Sequence, residues 1–401
     1  MTALFSEFYD ATKRFRRPYG ESIVTHPYTE AMVKECLDRL ANEPDSKISK
    51  KCRIYRNGRQ LGPFEAKEFI IEVSRFPTLA SVAWEELTEG EPFLIFVNFA
   101  ALLSHELSEA SRRFIGDFAR RFEPEGISIE HHLIIGKYDE TAFGVHIDDA
   151  TDRVFHFNLG PSAKEMILWP REDYLASYNG DLARPLKSVS TSGSQTHPMP
   201  VGGCFFLPAD YYHVGRSPHG VSVVVSLALT RQNHKHQMAA TLAALDLFAN
   251  VKESADDYYK DFSSRPDPDA FANVWAKAEE IGFANLLEHA RARNRSNNYF
   301  IEVSPIDASP LPSEAAWFEI EDASNLQLID HNGSLNVYSR GHYASLHDPA
   351  HIKIFKDAVQ TGRFEFSMRH FQDARERGDR GTALLGWLIA TKGAARSYAA
   401  E

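Results

Sequence analysis

Five short β-rich runs lie between residues 127 and 229: ISIEHHLIIGKY, RVFHFNLG, KEMILWP, GGCFFLP and HGVSVVVSLAL. Branched and aromatic side chains fill them, and Gly, Pro or Asp breaks each one off, the pattern of strands bounded by turns. Parallel strands need a crossover of a dozen or more residues, usually a helix. No helical stretch separates these runs, so the block predicts an antiparallel sandwich or barrel rather than a βαβ fold. Residues 171–200 hold Tyr174, Tyr178, several Ser and Gly and no period. They read as a long surface loop, and such loops are often functional, which makes this the candidate substrate-contacting segment.

The flanks have a different period. Met32, Val33, Cys36 and Leu40 recur at helical spacing over Thr29–Leu40, and Leu102, Leu103, Leu107, Phe114, Phe118 and Phe122 line one face of a helix over Leu102–Phe122. Glu65–Ser74 reads as a helix or a strand. Beyond the strands, Met238, Leu242, Leu245 and Ala249 form a helical stripe. Asp267-Pro268 starts a second helix carrying Phe271, Val274, Trp275, Ala278 and Ile281. Pro305, Pro310 and Pro312 suggest a linker over 301–316. Three short strands follow (Ala316–Glu321, Leu326–Asp330, Leu335–Tyr338), the last two joined by an Asn332-Gly333 hairpin turn. Helices over Ala350–Thr361, Ser367–Arg375 and Thr382–Lys392 complete the chain. The fold class is therefore α+β. The division expected is a helical or irregular extension over 1–59, a β-barrel domain over 60–232, a helical region over 233–300 that is a candidate for dimerisation, and a winged-helix-like domain over 315–401.

Composition limits the partners. A net charge of −11 over 401 residues argues against a general electrostatic nucleic-acid binder. From Pro349 to Glu401 the local excess is nine Lys/Arg over six Asp/Glu, which a solvated surface explains equally well. Cys36, Cys52 and Cys204 lack disulfide or zinc spacing and read as reduced thiols. The first residues, MTALFSEFYDATKRFRR, have no apolar core of a signal peptide. Leu94–Leu103, interrupted by Asn98, is too short to span a bilayer. A soluble, cytoplasmic protein is expected, without membrane or nucleic-acid partners.

The sharpest chemical feature is Gly144-Val145-His146-Ile147-Asp148. On a strand, residues i and i+2 share a face, so His146 and Asp148 offer an imidazole and a carboxylate together, whereas Asp149 faces away. His213, after Pro208-Ala209-Asp210-Tyr211-Tyr212, supplies a third donor. Two His and one carboxylate form the facial triad that binds Fe(II) and leaves positions open. Lys164 enters an apolar strand, where a charge is costly unless paired; the distal carboxylate of a 2-oxo acid is one partner, and snorkelling to water is the alternative. Val223, about ten residues after His213, is apolar and supplies no second cation there. That raises the weight on Lys164 and leaves Arg153 and Arg216 as fallback cations, with Ser226 a polar neighbour. Tyr138, Phe155, Phe157, Trp169, Tyr211 and Tyr212 are candidate pocket walls. His131, His132, His156, His197, His219, His234 and His236 lack partners at comparable metal spacing.

FGVHID, FHFNLGPSAKEMILWP, GGCFFLPADYYH and GVSVVVSLALT resemble the JmjC-type cupin family of Fe(II)- and 2-oxoglutarate-dependent oxygenases, in particular its asparaginyl-hydroxylase and ribosomal-oxygenase branches. The resemblance covers roughly residues 90–232. It implies a double-stranded β-helix with His146, Asp148 and His213 as iron ligands and Lys164 on the C5 carboxylate of 2-oxoglutarate. Where the family often carries a Thr, three residues before the first His, this chain has Phe143; Thr141 or Tyr138 is then the candidate for that hydrogen bond. The order of oxygenase domain, helical region and winged helix is similar to that of oxygenases acting on ribosomal proteins. The terminal unit also resembles winged modules that recognise precursor peptides. The resemblance implies hydroxylation of a protein or peptide side chain, with O2 and 2-oxoglutarate converted to succinate and CO2. The alternatives are a small-molecule oxygenase and a non-catalytic cupin that binds peptide or DNA through the winged helix.

Overall fold

A computed structural model describes residues 9–22, 27–44, 51–122, 127–148, 152–178, 183–231, 238, 241, 276, 278–297, 311–320, 326–391 and 393–396. The chain divides into two compact units, Met1–Arg231 and Gln232–Glu401.

Ten strands build the first unit: β1 (Tyr19–Ser22), β2 (Cys52–Arg56), β3 (Arg59–Gln60), β4 (Phe93–Asn98), β5 (Ile127–Tyr138), β6 (Asp152–Pro161), β7 (Lys164–Pro170), β8 (Gln195–Met199), β9 (Gly203–Pro208) and β10 (Tyr211–Arg231). All their pairings are antiparallel. β10 belongs to two layers. Its first part, Tyr211–Arg216, pairs with β7, which pairs with β8. After a register shift between Ser217 and Ser222, its second part lies between β5 and β6. The larger layer runs β1-β9-β6-β10-β5-β4-β2-β3. The segment after β5 joins the smaller layer through isolated bridges, Val145 to Arg184 and His146 to His213. This is the pairing order of a double-stranded β-helix.

The larger layer is covered on both faces, which explains why its strands read as nearly continuous apolar runs. Alternate residues of β6 separate cleanly. Phe155 and Phe157 point outward onto Phe114 of the helix His105–Phe122, with ring centroids 5.7 and 5.2 Å apart. Val154 and His156 point the other way, into the barrel. Two further helices flank the strands. Glu30–Asn42 starts at Thr29, whose hydroxyl accepts from the Met32 N–H, and buries Met32, Val33, Cys36, Leu37 and Leu40. The open choice at Glu65–Ser74 resolves to a helix, Pro63–Ser74, with Pro63 in its first turn and Glu65 reaching back to the Gly62 N–H at 2.8 Å.

The apolar stretch Leu94–Leu103 holds most of a buried strand, β4, followed by a 3₁₀ turn. Two expectations need correction. Residues 1–59 are not only helical or irregular, because β1 pairs with β9 and β2 with β4. Residues 171–200 are not one loop. They contain a helix (Arg171–Ser177), a 3₁₀ turn (Leu186–Ser188) and β8. β8 escapes a periodicity reading because QTHPM is polar and contains Pro198, which a strand paired only on one side tolerates.

In the second unit, β12 (Leu326–His331), β13 (Ser334–Ser339) and β14 (His342–Leu346) form a meander, while β11 (Ala316–Glu319), β15 (Arg363–Phe366) and β16 (Ala395–Arg396) form a separate sheet. Asn332 and Gly333 both have positive φ, the conformation a two-residue hairpin demands. Helices Pro349–Thr361, Met368–Glu376 and Arg380–Ala390 start at Asp348, Ser367 and Asp379, each accepting a backbone N–H. Phe318, Leu335, Val337, Phe355, Phe366 and Leu388 form its core. The expected Asp267 helix start and most of the 301–316 linker lie outside the described residues. A helix over Phe283–Ser296 is described. Among the described residues, no helix is long and apolar enough to cross a membrane.

Candidate metal centre

His146 and His213 are joined by reciprocal backbone hydrogen bonds, His146 N–H to His213 O at 3.1 Å and His213 N–H to His146 O at 2.7 Å. The bridge sets their rings side by side, with centroids 4.4 Å apart. The turn before them requires glycine: Gly144 has φ +67°, and a Cβ there would collide with the Arg184 carbonyl. Its own carbonyl accepts from His146 Nδ1 at 2.9 Å, and the Tyr211 carbonyl accepts from His213 Nδ1 at 3.4 Å. A ring that donates through Nδ1 keeps the Nε2 lone pair free for a cation. Asp148 completes the set, its two oxygens 3.7 Å from His146 Nε2 and 3.8 Å from His213 Nε2. One donor atom from each residue lies within 4.8 Å of the others. Two donors bound to one ion at about 2.1 Å each stand no more than ~4.2 Å apart, and both carboxylate separations meet that limit. Burial pushes the His213 imidazole down to about 4, with the Asp148 carboxylate opposing the shift, so the ring is neutral near pH 7 and ready to ligate.

The three donors open into a cavity of about 570 Å³. Its apolar lining comes from Phe96, Ile134, Phe143, Val154, Met166 and Ala228. Lys164 reaches in from the first position of β7 and is 1% exposed. Among the described residues no carboxylate pairs with it, and burial pushes its ammonium down to about 7. Gly215, on the paired strand, makes room: a Cβ there would stand 2.9 Å from Lys164 Cε and 3.3 Å from Nζ. The fallback cations lie elsewhere. Arg216 is engaged by the Asp139 carbonyl at 3.0 Å and by Glu165 at 3.7 Å. Arg153 follows Asp152 on β6, on the face opposite Val154, and does not line the cavity.

Strand register assembles a row that periodicity had not shown. Asn98, His132, Ser226 and His156 are successive partners across four strands, so they form one polar row on the cavity wall. The Ser226 hydroxyl meets His156 Nδ1 at 2.7 Å, and His156 Nε2 is buried without a hydrogen-bond partner. Burial, with the nearby Lys164 charge, holds His156 well below its ordinary pKa, so the ring is neutral. Thr141 lines the cavity, its Oγ1 buried and equally without a partner. Tyr138 does not border the metal donors; its ring centroid lies 5.9 Å from Lys164 Nζ. A polar residue inside an apolar strand was the available signal for His132 and His156; the register that aligns them was not in the sequence.

Most of the expected aromatic walls are displaced. Phe155 and Phe157 face the helix His105–Phe122, as parity on β6 dictates, and Trp169 and Tyr212 pack with Tyr174, whose ring stacks on Tyr212 at 3.8 Å. Phe96 and Phe143 take their place at the cavity. Asp149 lies outside the described residues.

No family model matches the chain, and no curated protein matches it. Among solved structures, the chain is similar to the X-ray structure of E. coli ycfD, with 15% identity over 98% of each chain and a TM-score of 0.49. The structure of YcfD, a ribosomal oxygenase from Escherichia coli, in complex with cobalt and 2-oxoglutarate shares 14% identity over 98% of each chain, with a TM-score of 0.47. The non-heme alpha-ketoglutarate-dependent carbocyclase SnoK from nogalamycin biosynthesis shares 12% identity over 34% of this chain and 63% of its own, at a TM-score of 0.25. Likenesses this remote do not assign chemistry, which rests on the side chains themselves.

Proposed function

We propose that this chain is an Fe(II)- and 2-oxoglutarate-dependent oxygenase that hydroxylates a side chain of a protein or peptide. The observation that carries the reading is the convergence of His146, Asp148 and His213 at a cavity that also holds the buried, carboxylate-free ammonium of Lys164. The donor set suits the ion: two neutral imidazoles and one carboxylate occupy one face and leave the rest of the coordination sphere open. The cavity suits the co-substrate. A small diacid meets Lys164 at one end, and the partnerless Thr141 Oγ1 and His156 Nε2 are further hydrogen-bonding atoms for it. When bound, iron and 2-oxoglutarate supply with O2 the oxidising equivalents that convert a C–H bond to C–OH, with succinate and CO2 as co-products.

The protein's part is positioning. The Gly144 and Tyr211 carbonyls hold both imidazoles in the ligating tautomer. Lys164 fixes the distal carboxylate, in the room left by Gly215. In the tautomer whose Nδ1 accepts from the Ser226 hydroxyl, the neutral His156 presents Nε2–H to an anion. Phe96, Ile134, Val154, Met166 and Ala228 exclude water, so the target C–H is held in a dry site. A polypeptide substrate is favoured over a compact molecule by a second depression of about 770 Å³, which shares Thr141, Phe143 and Ala183 with the metal cavity and extends past Tyr55, Pro92 and Lys187. In this reading the unit Met1–Arg231 forms the oxygenase domain of a cytoplasmic enzyme, with 233–300 a dimerising region and 315–401 a winged-helix-like domain. The helix–strand–helix–helix order from Pro349 to Ala390 supports the last assignment.

The test is turnover. Protein supplied with Fe(II), ascorbate and 2-oxoglutarate is expected to release succinate, and a peptide substrate to gain the mass of one oxygen. His146→Ala and Asp148→Ala are expected to abolish both. Failure of the wild-type protein to bind Mn(II), read by electron paramagnetic resonance, overturns the proposal.

A further inference from the structure

One cation at the metal cavity has no part in the proposed binding of iron or 2-oxoglutarate. Arg53, on β2, sits directly opposite Phe96 of β4. Its guanidinium carbon lies 4.8 Å from the Phe96 ring centroid and 4.9 Å from that of Phe143. Both rings line the cavity, and so does Arg53. Two aromatic rings hold the guanidinium through cation–π attraction and restrict its position. They do not neutralise it: among the described residues no carboxylate pairs with Arg53, and its Nε is buried without a hydrogen-bond partner.

Among the described residues, the other ionisable groups of the cavity wall have partners or assigned parts. Asp148 belongs to the metal set and Lys164 to the co-substrate. Asp152 accepts from the Thr230 hydroxyl at 2.6 Å. His132 stands 3.3 Å from Glu130. With Lys164 given to the co-substrate, Arg53 is the remaining cation of the described wall that no carboxylate meets. Guanidinium presents a planar fork of donors that matches a carboxylate, and holding that fork in place beforehand lowers the cost of binding. A cationic substrate side chain would meet like charge here in a partly desolvated site.

We infer that Arg53 is a substrate-selecting residue that receives a carboxylate, so that the polypeptide substrate carries Asp or Glu at or beside the hydroxylated position. This rests on the proposed oxygenase function and names its substrate class. The probes are amidated, acetylated peptide pools, each fixed at one position as acidic, amide or basic and degenerate elsewhere. They are presented without oxygen to the Mn(II)- and 2-oxoglutarate-loaded protein, and bound peptide is measured by mass spectrometry. The acidic pool is expected to be retained at least tenfold over the basic pool, Arg53→Gln to remove that preference, Arg53→Lys to keep part of it, and Arg53→Glu to favour the basic pool. Mn(II) and 2-oxoglutarate affinities, measured in parallel, are expected to be unchanged in Arg53→Gln and Arg53→Lys. No acidic preference in the wild-type protein, a preference that survives Arg53→Gln, or loss of 2-oxoglutarate affinity in both variants overturns the inference. Absence of Mn(II) binding by the wild-type protein instead strikes the oxygenase reading itself.

Discussion

Gly215 faces Lys164 so closely that a single methyl group on its Cα would stand 2.9 Å from the lysine's Cε. The space beside the ammonium therefore exists because position 215 has no side chain. Gly215→Ala is expected to push the lysine out of line and raise the KM for 2-oxoglutarate at least tenfold, while leaving Mn(II) affinity within a factor of two. Parallel titrations of metal and co-substrate check this; a coordinated loss of both would show that the substitution disturbs the fold instead.

Lys164→Met tests the ammonium itself. Hydrogen bonds to charged groups contribute about 1.5–3 kcal/mol, so co-substrate affinity is expected to fall by about 10- to 150-fold. Without co-substrate, the same variant is expected to melt at a higher temperature than the wild-type protein, because it removes a buried charge that no carboxylate compensates. A lower melting temperature with intact co-substrate binding would refute the role assigned to Lys164.

Burial lowers the Lys164 pKa to about 7, from an ordinary value near 10.5. Between those values the unfolded chain holds a proton that the folded, unliganded protein has released. The stability of the unliganded protein therefore rises with pH through this window, and the full penalty of the buried charge persists below it. A bound carboxylate restores the charge. Binding of 2-oxoglutarate to the Mn(II) form at pH 8.5 is expected to take up nearly one proton, and this uptake is expected to vanish in Lys164→Met. Calorimetry in buffers of different ionisation enthalpy measures it.

Gly144→Ala acts on the metal side. The left-handed conformation costs a non-glycine residue about 1–2 kcal/mol, and the new methyl collides with the Arg184 carbonyl. Since the Gly144 carbonyl also orients His146, Mn(II) affinity is expected to fall together with the denaturation midpoint. A shift in stability alone would show that the turn does not orient the ligand.

The triad was legible in the sequence because each donor carries a local signature: His146 and Asp148 two apart on an extended segment, His213 at the end of a Pro-containing turn. Lys164 was legible as a charge at the head of an apolar strand. Arg53, Asn98 and His156 were not, because their place at the cavity depends on which strand pairs with which and in what register. Arg53 lies in CRIYR, a segment without a clear period, and reaches the site only because β2 adds to the edge of β4. The aromatic walls were misassigned for a related reason. Phe155 and Phe157 are as apolar as Phe96, and with both faces of the layer covered, composition does not tell inside from outside.

β10 carries His213 and Gly215 in one layer and Ser226 in the other, with the shift between Ser217 and Ser222 between them. Two duties of one continuous strand are thereby decoupled. Extra residues inserted inside that irregular stretch have somewhere to go, whereas one residue added on either side of it would turn every following side chain through the sheet, emptying the metal face or the anion face as a block. The strand's tolerance to length change is concentrated in those few positions, and a scan of single-residue insertions along β10 would trace the two halves as separately heritable parts.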